Sequence, residues 1–358
     1  MPVSTFFEGL KVVELASVLA GPAVGMFFAE LGAEVVKVEN ARTGGDVTRS
    51  WKVPSEDPRA AISAYYCSVN YHKSVRLLDL TTEAGREVVY QLLKEADVLI
   101  SNYKLSSARH LGMDYDTVRR LNPRLIYGQL TAFGEDEALP AFDVVLQAEA
   151  GFLYMTGEPG REPSKMPVAL IDLLAAHQLK EGLLLALLRR QQTGEGAYVT
   201  TSLLESAIAS LANQATNWLM AGHIPERMGS RHPNIAPYGD IFYSRDDKAL
   251  VIAAGSGHQF SCLCQCLELP ALATDEHFAT NAMRVRHRDA LREALAPAFR
   301  RLSREELLRR FTESGVPVGS IRNMKEVFER PQAQAMILEE KMGDVLTRRV
   351  KTVAFELR

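Results

Sequence analysis

This chain of 358 residues is poor in cysteine, holding four: Cys67, Cys262, Cys264 and Cys266. So few make no disulfide framework, and a reduced, cytoplasmic protein is the simplest expectation. The last three form C-x-C-x-C. That is not the C-x-x-C of a zinc knuckle, and no histidine follows at ligand spacing. Residues 260–269 read as helix core instead, so no metal is expected. Long apolar runs are also missing. Leu183 to Leu188 is too short to span a bilayer and ends in Arg189-Arg190. The opening residues Met1 to Glu8 have neither the basic start nor the apolar run of a signal peptide. Net charge is only −3, so neither nucleic acid nor an acidic membrane surface is an expected partner. Repeats and low-complexity segments are absent.

Several active-site signatures are missing too. No G-x-G-x-x-G follows the first strand, and no G-x-x-x-x-G-K-[ST] occurs, so the common dinucleotide and triphosphate loops are excluded. Without G-x-S-x-G there is no hydrolase elbow, and without H-E-x-x-H no zinc-protease helix.

What is present is an ordinary globular composition, 47% hydrophobic and 24% charged, in a length suited to about two domains. Lys11 to Ala16 is a short strand, residues 23–31 a helix and Glu34 to Glu39 a second strand. The unit recurs. Strands are expected at 74–80, 97–101 and 124–130, with helices at 82–95 and 116–121. This alternation predicts an α/β fold with a mainly parallel sheet and helices on both faces. Helices at 173–192 and 203–220 follow, with a strand at 197–201 between them. Residues 222–240 are rich in Gly, Pro, Arg and His. A hairpin then pairs 241–244 with 250–253, and helices run to about Gly315. Val316 to Ile321 reads as a strand returning to the first domain. The expected division is 1–221 for a large domain, 222–320 for a smaller α+β domain and 321–358 for the return. Loops at 229–239 and 255–257 are either plain connections or flexible covers.

One carboxylate stands out. Asp172 lies in Ala169-Leu170-Ile171-Asp172-Leu173-Leu174, between a turn-rich loop at 156–160 and a long apolar helix. An unpaired carboxylate in oily surroundings is costly. Asp172 is either the N-cap of that helix or a reactive carboxylate held at a helix start in a dry site.

Several stretches together resemble the family III CoA-transferases. They are Leu10 to Leu15 running into Leu19-Ala20-Gly21-Pro22, then Gly32 to Glu39, and then Gly45-Asp46-Val47-Thr48-Arg49. His72-Lys73-Ser74, Asp97 to Tyr103, Leu121 to Tyr127, Ala132-Phe133-Gly134, Gly194 to Val199 and His232 to Tyr238 continue the match. The resemblance implies a Rossmann-like large domain built from both chain ends, a small domain and an interlocked homodimer. It implies an acyl-CoA donor and a carboxylate acceptor as partners, with coenzyme A as substrate and no permanently bound cofactor. Small dicarboxylic acids such as succinate are the expected acids. The family's nucleophilic aspartate falls on Asp172. Family CoA contacts fall on Val18, Leu19 and Ala20, on Asn40, on Leu78, Asp79 and Thr81, on Asn102, Tyr103 and Lys104, and on His110. Asp143 falls where the family has an acidic residue near its site, and is equally suited to begin a helix. Trp51 and Phe142 are candidates to line the acyl pocket. The chain departs from the family at Asn40 and His110, where basic residues are common, and at Leu105-Ser106-Ser107, where Pro-Gly is usual. Phosphate recognition is therefore expected of Lys104, Lys37 or Arg42. Arg161, Lys165, Arg231 and His232 are candidates to meet a second carboxylate. Two rival readings remain. One is an α-methylacyl-CoA racemase, whose His–Asp pair would place Phe142 where the histidine belongs. The other is a non-catalytic acyl-CoA-binding protein.

Overall fold

The computed structural model describes residues 5–137, 139–343 and 345–357. The first four residues, part of the stretch expected to hold no leader, lie outside them. The chain forms two compact units. One is Met1–Gly151, Met166–Asn213 and Gln332–Arg358; the other is Phe152–Lys165 and Gln214–Pro331.

The first unit opens with β1 (Lys11–Leu15), α1 (Ala20–Glu30), β2 (Glu34–Asn40), α2 (Ala64–Cys67) and β3 (Lys73–Leu78). It continues through α3 (Glu83–Glu95), β4 (Val98–Ser101), α4 (Leu105–Leu111), α5 (Tyr115–Leu121), β5 (Ile126–Thr131) and α6 (Asp143–Glu149). After α7 (Phe152–Met155), which belongs to the second unit, come α8 (Leu170–Thr193), β6 (Ala197–Ser202) and α9 (Leu203–Ala209). The six strands are all parallel, in the order β3-β2-β1-β4-β5-β6. This is the doubly wound arrangement, whose order reverses between β1 and β4. Val12, Val13 and Leu15 on β1, and Val98, Leu99 and Ile100 on β4, are buried because helices cover both faces. The reversal leaves a crevice beyond the carboxyl ends of these two strands.

α8 is built from good helix formers and stops at Gly194, which takes the left-handed conformation (φ 75°). Its buried stripe includes Ala175, Ala176, Leu179, Leu183 and Ala186. Gly182 lets it approach β6, since a Cβ there would stand 2.6 Å from Val199 Cγ1. The helix begins at Leu170, three residues before the expected start, and its N-cap is Ala169, without a side-chain hydrogen bond. Asp172 is thus the third residue of the helix. The N-cap reading of Asp172 is overturned.

The second unit holds α7, α10 (Ala212–Ala221), β7 (Tyr238–Tyr243), β8 (Ala249–Ala253) and α11 (Gly257–Cys266). α12 (Pro270–Thr274), α13 (Asn281–Arg286), α14 (Arg288–Phe299), α15 (Arg304–Glu313), β9 (Val318–Ser320) and α16 (Met324–Phe328) follow, and α17 (Pro331–Gln334) carries the chain back into the first unit. The single helix expected at 203–220 is split into α9 and α10, with Ala212 at φ 47° at the break. The core of the second unit gathers Phe242, Phe260, Leu295, Phe299 and Phe311, with Phe242 stacked on Phe299 at 4.1 Å. The expected return strand at 316–321 does not join the parallel sheet. β9 instead pairs antiparallel with β8, completing a three-stranded sheet. The chain rejoins the first unit later, through the antiparallel pair β10 (Ile337–Met342) and β11 (Val345–Val350). Arg349 Nη1 donates to Asn70 O (2.6 Å) and Thr352 N to Glu30 Oε1 (2.8 Å). The units therefore divide near 151, 166, 213 and 331, rather than at 221 and 320.

Candidate active site

A cleft of about 910 Å³ opens at the carboxyl ends of the strands in the first unit. It is lined by seven of the eleven residues expected to contact CoA: Asn40, Leu78, Asp79, Thr81, Asn102, Tyr103 and Lys104. Val18, Leu19 and Ala20 are not among its lining residues, although Ser17 beside them is. His110 lies exposed on the last turn of α4, also outside the lining.

The lining residues shape one another. Asn102 grips the turn after β1 at two points: its Oδ1 accepts from Ser17 N (3.2 Å) and its Nδ2 donates to Ser17 O (2.9 Å). Asn40 Oδ1 accepts from Arg42 N (3.0 Å). Asp79 Oδ1 accepts from Thr81 N (2.9 Å) and Thr81 Oγ1 (2.6 Å), forming a tight turn after β3. Leu78 packs at the edge of the core, as does Tyr103, whose hydroxyl burial pushes upward in pKa. Arg42 and Lys104 are exposed at the cleft. Lys37 is not available to a phosphate: its side chain is fully buried between Glu14 (3.1 Å) and Asp46 (2.9 Å).

Asp172 is 8% exposed. Among the described residues, nothing hydrogen-bonds its carboxylate oxygens. Burial, and then the nearby charge of Asp143, push its pKa up to about 7. A helix N-terminus favours an anion, so here loss of water outweighs the helix dipole. The cap of α8 comes from Asp143, twenty-nine residues earlier. Its Oδ1 accepts from Ile171 N (2.7 Å) and Asp172 N (3.3 Å), while its Oδ2 accepts from Gln147 Nε2. Gln147 Oε1 in turn accepts from Met166 N (2.9 Å). Asp143 begins α6 in sequence, yet its side chain closes a different helix. Asp143→Ala should therefore cost about 1–2 kcal/mol in urea unfolding, whereas Asp143→Asn, which keeps an acceptor, should cost less than half of that. Both should lower the pH at which Asp172 ionises.

Trp51 and Phe142 meet edge to face at 6.2 Å, and Trp51 meets Tyr65 in the same way at 5.1 Å. Phe142 is exposed, and its ring carries no proton to exchange. Tyr65 was not among the expected residues. Burial, then the charges of Asp172, Asp143 and Asp46, push its phenol up to about 12. Tyr65 thus feels the charge of Asp172 and also that of Asp46, which lines the cleft, whereas Asp172 and Tyr65 are not among the cleft's lining residues. Nothing in the local pattern around Ser63-Ala64-Tyr65-Tyr66 announces this. Its neighbours are all distant in sequence.

In the second unit, Arg231 is engaged by Asp289 (2.8 Å), and His232 Nδ1 accepts from Asn234 N (3.1 Å). Arg161 and Lys165 are exposed. The 229–239 loop is tied down. Arg288 donates to His232 O (3.0 Å) and Pro233 O (3.1 Å), and Arg284 to Ala236 O (2.8 Å). Of the cysteines of α11, Cys264 is buried in the core and Cys262 and Cys266 pack against it, with Cys266 Sγ donating to Ser314 Oγ (3.1 Å).

A doubly wound sheet, a roomy cleft at its strand ends and a dry carboxylate with no hydrogen bond among the described residues define an α/β enzyme equipped for group transfer. The chain belongs to CoA-transferase family III, whose model matches residues 7–358. Its relatives include the succinate–glutarate CoA-transferase of Agrobacterium fabrum, 38% identical over 92% of this chain and 83% of that one. The human succinyl-CoA:glutarate CoA-transferase is 33% identical over 91% of this chain and 74% of that one. Among solved structures, a CAIB/BAIF family protein from Brucella suis is 38% identical with a TM-score of 0.82, covering 98% of this chain and 92% of that one.

Proposed function

We propose that this enzyme moves coenzyme A between small dicarboxylic acids, with Asp172 as the nucleophile. The observation that carries this reading is the Asp172 carboxylate, dry, without a hydrogen-bond partner among the described residues and set to ionise near neutrality. It attacks the thioester carbonyl of the donor. The C–S bond breaks, CoA leaves as a thiolate and a mixed anhydride remains on Asp172. The thiolate then attacks the aspartyl carbonyl, the donor acid departs and an aspartyl-CoA thioester forms. The acceptor carboxylate attacks that thioester and again expels the thiolate, leaving a second anhydride. Attack of the thiolate on the acceptor's carbonyl releases the new CoA ester and frees Asp172. A carboxylate suits this role because anhydride and thioester exchange with carboxylates at comparable energy, where a serine ester would not.

The cleft residues from Asn40 to Lys104 are assigned to CoA, with Arg42 and Lys104 toward its phosphates. Trp51, Tyr65 and Phe142 are assigned to the acyl group. The choice of dicarboxylic acids rests on the named substrates of the two glutarate transferases. The apolar Leu185, Leu188 and Ile208 are exposed on α8 and α9, which supports a homodimer that covers them. Four free cysteines fit a cytoplasmic setting.

The test is a panel of CoA esters and free acids read by mass spectrometry. CoA should pass between succinate- and glutarate-sized diacids. The rate should climb with pH and level off above about 7, as Asp172 becomes ionised. Exchange of the α-hydrogen without CoA transfer would favour the racemase reading instead.

A further inference from the structure

Four charged side chains form a line beneath the turn that follows β1. Lys73 Nζ meets Glu14 Oε2 at 2.7 Å, Glu14 Oε1 meets Lys37 Nζ at 3.1 Å, and Lys37 Nζ meets Asp46 Oδ2 at 2.9 Å. Each of these side chains is at most 1% exposed. Burial pushes Lys37 down, but Glu14 and Asp46 outweigh it and its pKa ends above the ordinary value. A fully buried set of this kind adds little stability over apolar side chains of the same volume. Its placement points to another use.

The line ends on backbone. Val18 N–H donates to both Asp46 oxygens, at 3.2 and 3.4 Å. On the other side of the same turn, Lys37 Nζ donates to Ala16 O (3.1 Å). Thr48 fixes the carboxylate from behind, through its N (3.0 Å) and Oγ1 (2.8 Å) on Oδ1. The residue held this way is itself unusual. Val18 has φ 71°, a left-handed conformation that strains a β-branched side chain. Leu19 and Ala20 follow at once, and α1 begins at Ala20.

We propose that Asp46 is a positioning residue: fixed by Lys37, it pins Val18 in its left-handed turn and so holds Ala16 and Ser17, which line the cleft, in place for a bound CoA. The inference rests on the CoA-transfer reading of the cleft. Glycine adopts the left-handed turn unaided, so it should make the clamp unnecessary.

The experiment is a double-mutant cycle on the full-length protein, read by calorimetric binding of free CoA and by steady-state kinetics. Asp46→Asn should raise the Kd for CoA, and the KM for the donor, by about tenfold, with kcat within about threefold of native. In a Val18→Gly background the same Asp46→Asn step should cost less than about threefold. An equal penalty in both backgrounds would overturn the proposal, because a general loosening of the fold is additive. If Asp46→Asn does not fold, Thr48→Val replaces it. That change removes one hold on the carboxylate while keeping the Lys37 pair, and its expected threefold or so rise in Kd should vanish in the Val18→Gly background. A native protein that binds no CoA would overturn both this proposal and the reading it rests on. An Asp172→Ala protein that still exchanges CoA would remove the nucleophile assignment alone.

Discussion

Replacing Asp172 by alanine is expected to lower kcat for CoA exchange by about 10⁴-fold or more, while CoA itself still binds within about threefold of native. The size follows from the chemistry. In the proposed mechanism, loss of the carboxylate at this position leaves no anhydride and no enzyme thioester, and the neighbouring carboxylates are already engaged. Asp143 is committed to two amides and Gln147. Asp46 is held by Lys37 and Thr48, and Glu39 by Arg49 (2.7 Å) and Tyr66 (2.7 Å). Each would have to give up buried partners before it could attack. Hydroxylamine added with a CoA donor should convert residue 172 to a hydroxamate in the native protein and label nothing at the other three. An alanine protein that retained a tenth of the native rate would exclude Asp172 as the nucleophile.

The parallel sheet was legible because its central strands must be apolar on both faces, and 11–15, 34–39 and 97–101 are written that way. Lys37 shows the limit of the same pattern. A lysine between Val36 and Val38 on a one-sided strand would point to solvent, free for a phosphate. In a sheet covered on both faces it has nowhere wet to go, so it must be paired, and its partners come from strand β1 and from the loop after β2. The start of α8 was misplaced for a related reason. Leu170 and Ile171 carry no capping side chain, so the pattern pointed to Asp172, whereas the acceptor is supplied by a residue on another helix. The strand at 318–320 was recognised as a strand, but its partner was not, since pairing is decided by distant contacts. Tyr65 was missed because its importance lies wholly in neighbours far along the chain. Asp172 itself was singled out by its apolar setting. Its role came from the family resemblance, and its dryness only from the structure.

Asp172→Asn should make the protein more stable above neutral pH while leaving it inactive. In the folded chain the carboxyl ionises near pH 7, against 3.8 when exposed. Between those values the folded state keeps a proton that the unfolded state has lost. Stability therefore falls as pH rises from about 4 to 7, and the full penalty is present above 7. At about 1.4 kcal/mol per pH unit, the ionised carboxylate costs the native state about 4 kcal/mol, and its near-complete burial leaves little solvent to screen this. Asparagine cannot ionise. The two proteins should unfold at similar urea concentrations near pH 4 and separate steadily up to pH 7, with the asparagine form ahead by about 4 kcal/mol at pH 8. An aspartate kept only to cap a helix behaves otherwise. Asparagine caps as well as aspartate, so the difference would stay below about 0.5 kcal/mol at every pH, and alanine would be the destabilising change. A stability gap that opens with pH, together with loss of transfer, is the mark of a carboxylate kept dry at the expense of the fold so that it can attack a thioester. Equal unfolding at pH 8 would mean that Asp172 is ordinarily solvated, and desolvation could then not be the source of its reactivity.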